Sequence, residues 1–350
     1  MILNDVTATL STRGRSETTL PMVLTSILSQ TYKPGKVVIY DDNDRFDDPN
    51  KIEVLRNVLA ALIASGVPWF WEPGARKGQI HNHEKALRTA TTPFIWRLDD
   101  DNIMPSNTLE ELYKIIVSDA KIGAVGPSII DPKNRFNTGL ASNKIADIYL
   151  GLNVQWNECL EVKLLEVEHL QGSTFVYRVE AAKHGYDLSL SRKGHREETI
   201  FTYEMFRAGW KLIAATGINT WHFHYGSGGI RSEKDNKMFS LDEARFNQKL
   251  HDWGVTPNQY KIIFLDSGRG DHYAFKTILP ELVEKYKNYK FIIAVCYPDC
   301  FWDITDENIT FCSLKDALAF VNPEHHNVYM FMEKNNWKVS LVEAYRRMYL

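Results

Sequence analysis

The sequence predicts an α/β protein in two parts: a larger domain on a mixed, mostly parallel sheet wound by helices, then a smaller β/α unit. Three observations predict it. Strand-like and helix-like segments alternate from the N-terminus to about Ile116. The acidic clusters Asp41-Asp42 and Asp99-Asp100-Asp101 each follow an apolar run, at strand carboxyl ends where such sheets bind ligands. Near Asn258 the alternation starts afresh and runs to the C-terminus.

The elements follow in order. Val6 to Leu10 is apolar and β-prone. Leu20, Val23, Leu24, Ile27 and Leu28 recur at helical spacing, and Pro34-Gly35 reads as the break after that helix. Val37 to Tyr40 is a second strand, Ile52 to Ile63 a helix, Val67 to Trp71 a strand. Asn82 to Ala90 is a helix and Phe94 to Leu98 the fourth strand. From Asn102 to Lys163 the pattern is less regular: Leu109 to Ile116 is helical, and Gly123 to Ile130 reads as a short strand and turn. A second ordered block runs from His169 to His224. Ser240 to Trp253 reads as a helix, and Gly254 to Pro257 as a hinge. Beyond it Lys261 to Leu265, Phe291 to Val295, Ile309 to Phe311 and Val328 to Met332 read as strands. Tyr273 to Tyr286, Leu314 to Phe320 and Val339 to Met348 read as helices.

Composition narrows the function classes. Hydrophobic residues make up 44% and charged residues 24%, as in globular proteins. The net charge of −3 argues against a protein that coats nucleic acid. No apolar run approaches the ~18 residues of a spanning helix, so no integral membrane segment is expected. The N-terminus lacks the basic-then-apolar layout of a signal peptide. Cys159, Cys296, Cys300 and Cys312 form no CxxC pair, which suits reduced thiols in the cytoplasm.

Five segments carry possible chemistry. Arg97-Leu98-Asp99-Asp100-Asp101-Asn102 gathers three mutually repelling carboxylates, which favours a cation. Asp99 and Asp101 share one face of an extended strand end, and hard oxygen ligands suit Mg²⁺ or Mn²⁺. The alternative is a solvated loop, with Asn102 or Ser106 capping the helix at Leu109. Asp41-Asp42-Asn43-Asp44 offers a carboxylate for the N–H groups of a nucleotide base, or an Asx turn. In Arg196-Glu197-Glu198-Thr199, Glu198 has the chemistry of a general base, or of ordinary helix N-terminal acidity. His222 and His224 share a face if Thr220 to Tyr225 is extended, and one could complete a metal site with Asp101; otherwise they are structural. The glycine-rich Gly226 to Arg231 can close over a phosphate, or is a surface loop.

In this order the motifs resemble the family 2 glycosyltransferases with the GT-A fold, over residues 5 to 232. They are Thr9 to Arg15 after the first strand, Ser26-Ile27-Leu28-Ser29-Gln30-Thr31, Val37 to Asp42, Gly78 to Asn82, Phe94 to Asp101, Gln171-Gly172-Ser173, and Glu197-Glu198 with Ala208-Gly209-Trp210. The resemblance implies a GT-A domain over residues 1–257, its nucleotide-sugar-binding half 1–102 and its acceptor-binding half 103–257. It also implies an inverting enzyme that moves a sugar from a nucleoside-diphosphate sugar, UDP-linked by default, to an acceptor hydroxyl. Thr12 and Asp42 would contact the base. Asp99 would approach the ribose or donor sugar, with Arg13, Arg15, Arg76, Lys77, Asn82, Asp100, Gly172 and Arg231 completing the donor site. Asp101 would hold Mn²⁺ or Mg²⁺, with His222 as a further ligand and His224 as its alternative. Glu198 would deprotonate the acceptor, with Glu197 as the fallback. Three motifs depart from the family pattern: Arg13-Gly14 stands for its Tyr-Asn, His81-Asn82 for its Arg-Asn, and Glu198 for its Asp.

Phe264 to His272, with Pro280-Glu281-Leu282, resembles the opening of a heptosyltransferase-like GT-B half. A glycine nest at a helix start can bind phosphate, or is a tight turn. Only one such half fits, so residues 258–350 read as an accessory Rossmann-like domain for acceptor binding, docking or assembly. The acceptor reads as a glycan or other hydroxyl compound. A modified base in nucleic acid stays open as acceptor, though the charge does not indicate it; a homo-oligomer and a peripheral membrane location also stay open. A catalytically inactive sugar-nucleotide scaffold is the non-enzymatic alternative. A nucleotidyltransferase would need a glycine-rich loop after the first strand, where only Arg13-Gly14-Arg15 stands.

Overall fold

The computed structural model describes residues 1–46, 48–132, 142–150, 154–156, 161–224, 226–230, 236–315 and 328–350. They fall into two compact units. The larger holds the described residues up to 132, 143–145, and 154 to Val255; the smaller holds 142, 146–150, and Thr256 to Leu350.

The larger unit begins β1 (Ile2–Thr12), α1 (Thr19–Leu28), β2 (Lys33–Asp41), α2 (Glu53–Ala64), β3 (Trp69–Pro73), α3 (Gln79–Arg88) and β4 (Phe94–Asp99). It continues β5 (Asn102–Ile103), α4 (Thr108–Ser118), β6 (Ile122–Ile130), β7 (Lys163–Val167), β8 (Thr174–Arg178), α5 (Glu197–Arg207), β9 (Lys211–His222) and α6 (Asn236–Asp252). Among the described residues these strands form one sheet in the order β3-β2-β1-β4-β8-β6-β9-β5, with β7 also on β9. The ladders β1–β2, β1–β4, β2–β3 and β6–β9 are parallel; β8 runs antiparallel between β4 and β6. This is the mixed α/β architecture the alternation predicted.

The core explains the pattern. Val6, Ala8 and Leu10 alternate along β1 and pack with Leu20, Val23, Leu24 and Ile27 of α1 and Leu55, Leu59 and Leu62 of α2. Register then positions the site. Ser11 lies opposite Asp99 and Thr12 opposite Asp41, so three parallel strands deliver their last residues to one edge.

Local readings shift in three places. Pro34-Gly35 is not a break but part of β2, opposite an irregularity between Leu3 and Thr7 of β1. A side chain at Gly35 would meet the Asn4 backbone at 2.8 Å, so a residue read as punctuation marks a close approach of two strands. Gly123 to Ile130 is a continuous strand rather than strand and turn. The run Val328 to Met332 is helical, the third correction, discussed with its unit below.

The smaller unit contains β10 (Gln259–Leu265), α7 (Arg269–Lys285), β11 (Tyr289–Val295), β12 (Ile309–Ser313), α8 (Val328–Lys334) and α9 (Leu341–Tyr349). Its strands form a parallel three-stranded sheet in sequence order. Phe275, Ile278, Leu279 and Leu282 of α7 pack on Phe291, Ile293 and Val295 of β11. In α8, Val328 is buried with Phe331 and Met332 against the same core, while Tyr329 and Met330 are exposed. That i, i+3, i+4 pattern is helical; a short wholly apolar run does not distinguish it from a strand. The helix expected over Leu314 to Phe320 lies outside the described residues beyond Lys315. The turn before α7 is held from within: the buried His272 contacts the Gly268 carbonyl through Nδ1 (2.9 Å) and accepts from the Cys296 and Tyr297 N–H groups through Nε2 (3.2 and 3.3 Å).

Candidate active site

The site lies at the carboxyl edge of the larger sheet. A cleft of about 250 Å³ is lined by Thr12, Arg13, Arg15, Asp42, Asp99, Asp100, Asp101, His222 and His224, among others. Asp99 ends β4, and His222 ends β9 opposite Asn102 of β5. This antiparallel pairing brings Asp99, Asp101 and His222 together: each offers one ligand atom, all within 4.8 Å of one another. His222 Nε2 is 3.1 Å from Asp101 Oδ1 and 3.9 Å from Asp99 Oδ2. His224 lies beyond the strand in a left-handed conformation (φ 46°), its ring against that of His222. Two carboxylates and an imidazole suit Mn²⁺, and Mg²⁺ less well for the nitrogen.

Asp100 points elsewhere. Its carboxylate accepts from the Thr12 hydroxyl (2.7 Å) and from Arg15 Nη1 (2.6 Å), which also lies 3.1 Å from Asp101. Burial pushes Asp100 up to about 6, with Arg15 opposing. Thr12, expected at the nucleotide base, thus has its hydroxyl proton on Asp100.

Asp42 is likewise tied into the chain. It accepts from the backbone N–H groups of Arg76 (2.7 Å) and Gly78 (3.1 Å) and from Asn82 Nδ2 (3.0 Å). Asn82 is fully buried, also donating to Ser11 and accepting from Ala75. Asp42 and Asn82 therefore shape the turn between β3 and α3. The Arg76 and Lys77 side chains are exposed and do not line the cleft. Arg13 pairs with Asp44 (2.8 Å) and donates to the Asp42 carbonyl. Arg231 lies outside the described residues.

A second pocket adjoins the cleft, lined by Asp99, Gly172, Ser173, His195, Arg196, Glu198 and His222, among others. The two glutamates that open α5 face different surroundings. Glu197 is 1% exposed and 2.5 Å from Arg97 Nη2; Glu198 is 14% exposed and 3.4 Å from the same nitrogen. Burial pushes Glu197 upward, with Arg97 opposing. Gly172 contributes its carbonyl, which accepts from Arg97 Nη1 (3.0 Å).

Sequence reading missed Arg97, Gln79, Arg192, Lys193 and His195. Strand alternation held a signal for Arg97, two residues before Asp99 on the same face. The others come from loops and helix starts that reach the site only in three dimensions.

The sequence model of glycosyl transferase family 2 matches residues 10–185. The chain belongs to glycosyl transferase family 2. The match runs from the end of β1 through β8 and so contains the Asp99 to Asp101 cluster. No curated protein matches the chain. Solved structures with a similar fold include GalNAc-T7 with UDP, GalNAc and Mn²⁺ (16% identity, TM-score 0.47, 62% of this chain and 43% of that one). A mannosyltransferase from Pyrobaculum calidifontis with GDP-Man and Mn²⁺ aligns at 17% identity and TM-score 0.47, over 71% of this chain and 64% of that one. TarS 1–349 from S. aureus with UDP-GlcNAc aligns at 15% identity and TM-score 0.47, over 70% and 66%. The chain thus covers less than two thirds of each of these relatives. Among the described residues of this family 2 chain, no helix is long and apolar enough to cross a membrane.

Proposed function

We propose that this family 2 chain is an inverting, metal-dependent glycosyltransferase. It moves a sugar from a nucleoside-diphosphate sugar, UDP-linked in our reading, to a hydroxyl of a glycan or related acceptor. The observation that carries the proposal is the convergence of Asp99, Asp101 and His222 at the join of two pockets, one of which holds Glu198. Asp101 and His222 would hold Mn²⁺ or Mg²⁺, with Asp99 close by. The ion, when bound, supplies Lewis-acid neutralisation of the diphosphate leaving group.

The chain's own residues do the rest. The cleft with Arg13, Arg15, Arg192 and Lys193 supplies positive charge for a diphosphate. The adjoining pocket receives the acceptor. Glu198, partly exposed there, takes the proton from the attacking hydroxyl, while Glu197 is committed to Arg97. One displacement at the anomeric carbon, without a covalent intermediate, inverts its configuration. The smaller unit is read as accessory, for acceptor binding, docking or assembly. The free thiols Cys296 and Cys300 accord with a cytoplasmic setting.

The test is release of nucleoside diphosphate from a panel of UDP-, GDP- and dTDP-sugars with Mn²⁺. Wild type should turn over one donor with metal stimulation, and Asp101→Ala and His222→Ala should lose that stimulation while His224→Ala keeps it. Glu198→Gln should bind donor but lose transfer about 10²–10⁴-fold. Nucleotide binding without metal-stimulated turnover of any donor would favour the inactive scaffold instead.

A further inference from the structure

Arg97 is the most completely buried cation of the site. It sits on β4 with no exposed surface, and its guanidinium lies over the ring of Phe175, its cross-strand neighbour, at 5.4 Å. Taking a charge out of water is costly unless it is paired and hydrogen-bonded. Glu197 does the pairing, at 2.5 Å and itself buried. Nη1 donates to the Gly172 carbonyl and Nε lies 3.3 Å from His83 Nε2. Burial works against the charge of Arg97, but the surrounding carboxylates outweigh it and raise its pKa.

A structural ion pair would be complete there. Yet the nitrogen that meets Glu197, Nη2, also lies 3.2 Å from Asp99 Oδ1 and 3.4 Å from Glu198 Oε1. One nitrogen thus stands between a residue of the candidate metal cluster and the candidate base. Both partners line the acceptor pocket and Arg97 does not. The planar, rigid fork of an arginine can fix several acceptors at once; an ammonium is a point charge without that geometry.

We propose that Arg97 is a positioning residue for the transfer step: it holds the Glu198 carboxylate aimed into the acceptor pocket at a fixed separation from Asp99, with Glu197 as its buried partner. The proposal rests on the transferase reading and on Glu198 as base. Arg97 acts through Glu198 and touches no substrate.

The experiment uses the full chain, Mn²⁺ and whichever UDP-, GDP- or dTDP-sugar wild type turns over. Arg97→Lys keeps a buried cation and removes the fork. It should lower kcat about 10–100-fold, less than the ~10²–10⁴-fold supplied by a general base itself. KM for the donor, and affinity for the matching nucleoside diphosphate by calorimetry, should stay within about threefold. Glu198→Gln should lose more, and Arg97→Lys/Glu198→Gln should lose no more than Glu198→Gln alone, because the two residues act as one unit. Arg97→Met, which strips the charge, is followed by urea unfolding to report its stability. An unchanged kcat in Arg97→Lys, an affinity loss matching the turnover loss, or additive losses in the double variant would each overturn the proposal while leaving the transferase reading intact. Full turnover by Glu198→Gln would overturn the base assignment with it. No wild-type turnover of any donor would overturn the function itself.

Discussion

Gly78→Ala tests how the cleft is built. Gly78 precedes α3 at φ 96°, ψ 169°, a conformation essentially confined to glycine. A Cβ there would lie 2.2 Å from the carbonyl oxygen of Arg192, a backbone atom with little freedom to retreat. The dihedral strain costs about 1–3 kcal/mol, and relieving the overlap adds about 1–3 kcal/mol. The expected loss is therefore about 2–6 kcal/mol. Gly209→Ala is the control: it is also at positive φ (89°), but nothing lies within 4 Å of its new methyl. Urea unfolding followed by tryptophan fluorescence should place Gly78→Ala at least about 1 kcal/mol below Gly209→Ala. Nucleotide affinity should fall as well, since Gly78 N–H holds Asp42 and Arg192 lines the cleft. Equal stability of the two variants would refute the claim that the Arg192 segment is pressed against this turn.

Three further outcomes follow from the larger and smaller cores. His169 is buried, and burial pulls its pKa down to about 3, so its neutral form stabilises the fold fully above pH ~6.5 and progressively less as pH falls toward 3; His169→Gln should be less acid-sensitive than wild type in that window, by thermal melts at stepped pH. Thr12→Val removes the hydroxyl that donates to the buried Asp100 and should cost about 1–3 kcal/mol in urea unfolding, with a cost below 0.5 kcal/mol counting against that bond's importance. Phe275→Ala in the smaller unit, where the ring is fully buried between Tyr345 and Tyr349, should cost about 3–5 kcal/mol, read by calorimetry as a lowered transition.

Much of the fold was legible because it is periodic. β1 carries its burial in the sequence as alternation, α1 as helical spacing and β4 as a short apolar run; the ends of α1 and β4 fall within one residue of expectation, while β1 begins four residues before Val6. The failures are places where tertiary contact overrides a local signal. Pro34-Gly35 reads as a breaker, yet it lies where β2 runs close to Asn4. Val328 to Met332 has no polar residue to reveal its period, so only the neighbouring core decides between strand and helix. The carboxylates of the site were equally legible, since acidic clusters after apolar runs stand out. Their partners were not. That Asp42 is spent on backbone N–H groups, that Thr12 serves Asp100, and that a strand arginine meets two glutamates all depend on residues 34 to 101 positions away in the chain.

The start of α5 sets a limit on how this chain can vary. Arg196 adopts a left-handed conformation (φ 70°), secured by its contact with Glu243, and the helix begins with the next residue. Successive helical residues diverge by about 100°, so adjacent, chemically identical side chains are sorted by the phase of the helix, one buried against Arg97 and the other reaching the same nitrogen from the pocket. Inserting or deleting one residue between Gly194 and Glu197 would leave composition and charge nearly untouched. It would nonetheless rotate one glutamate out of the ion pair and turn a different side chain toward the pocket. The length of this loop is counted.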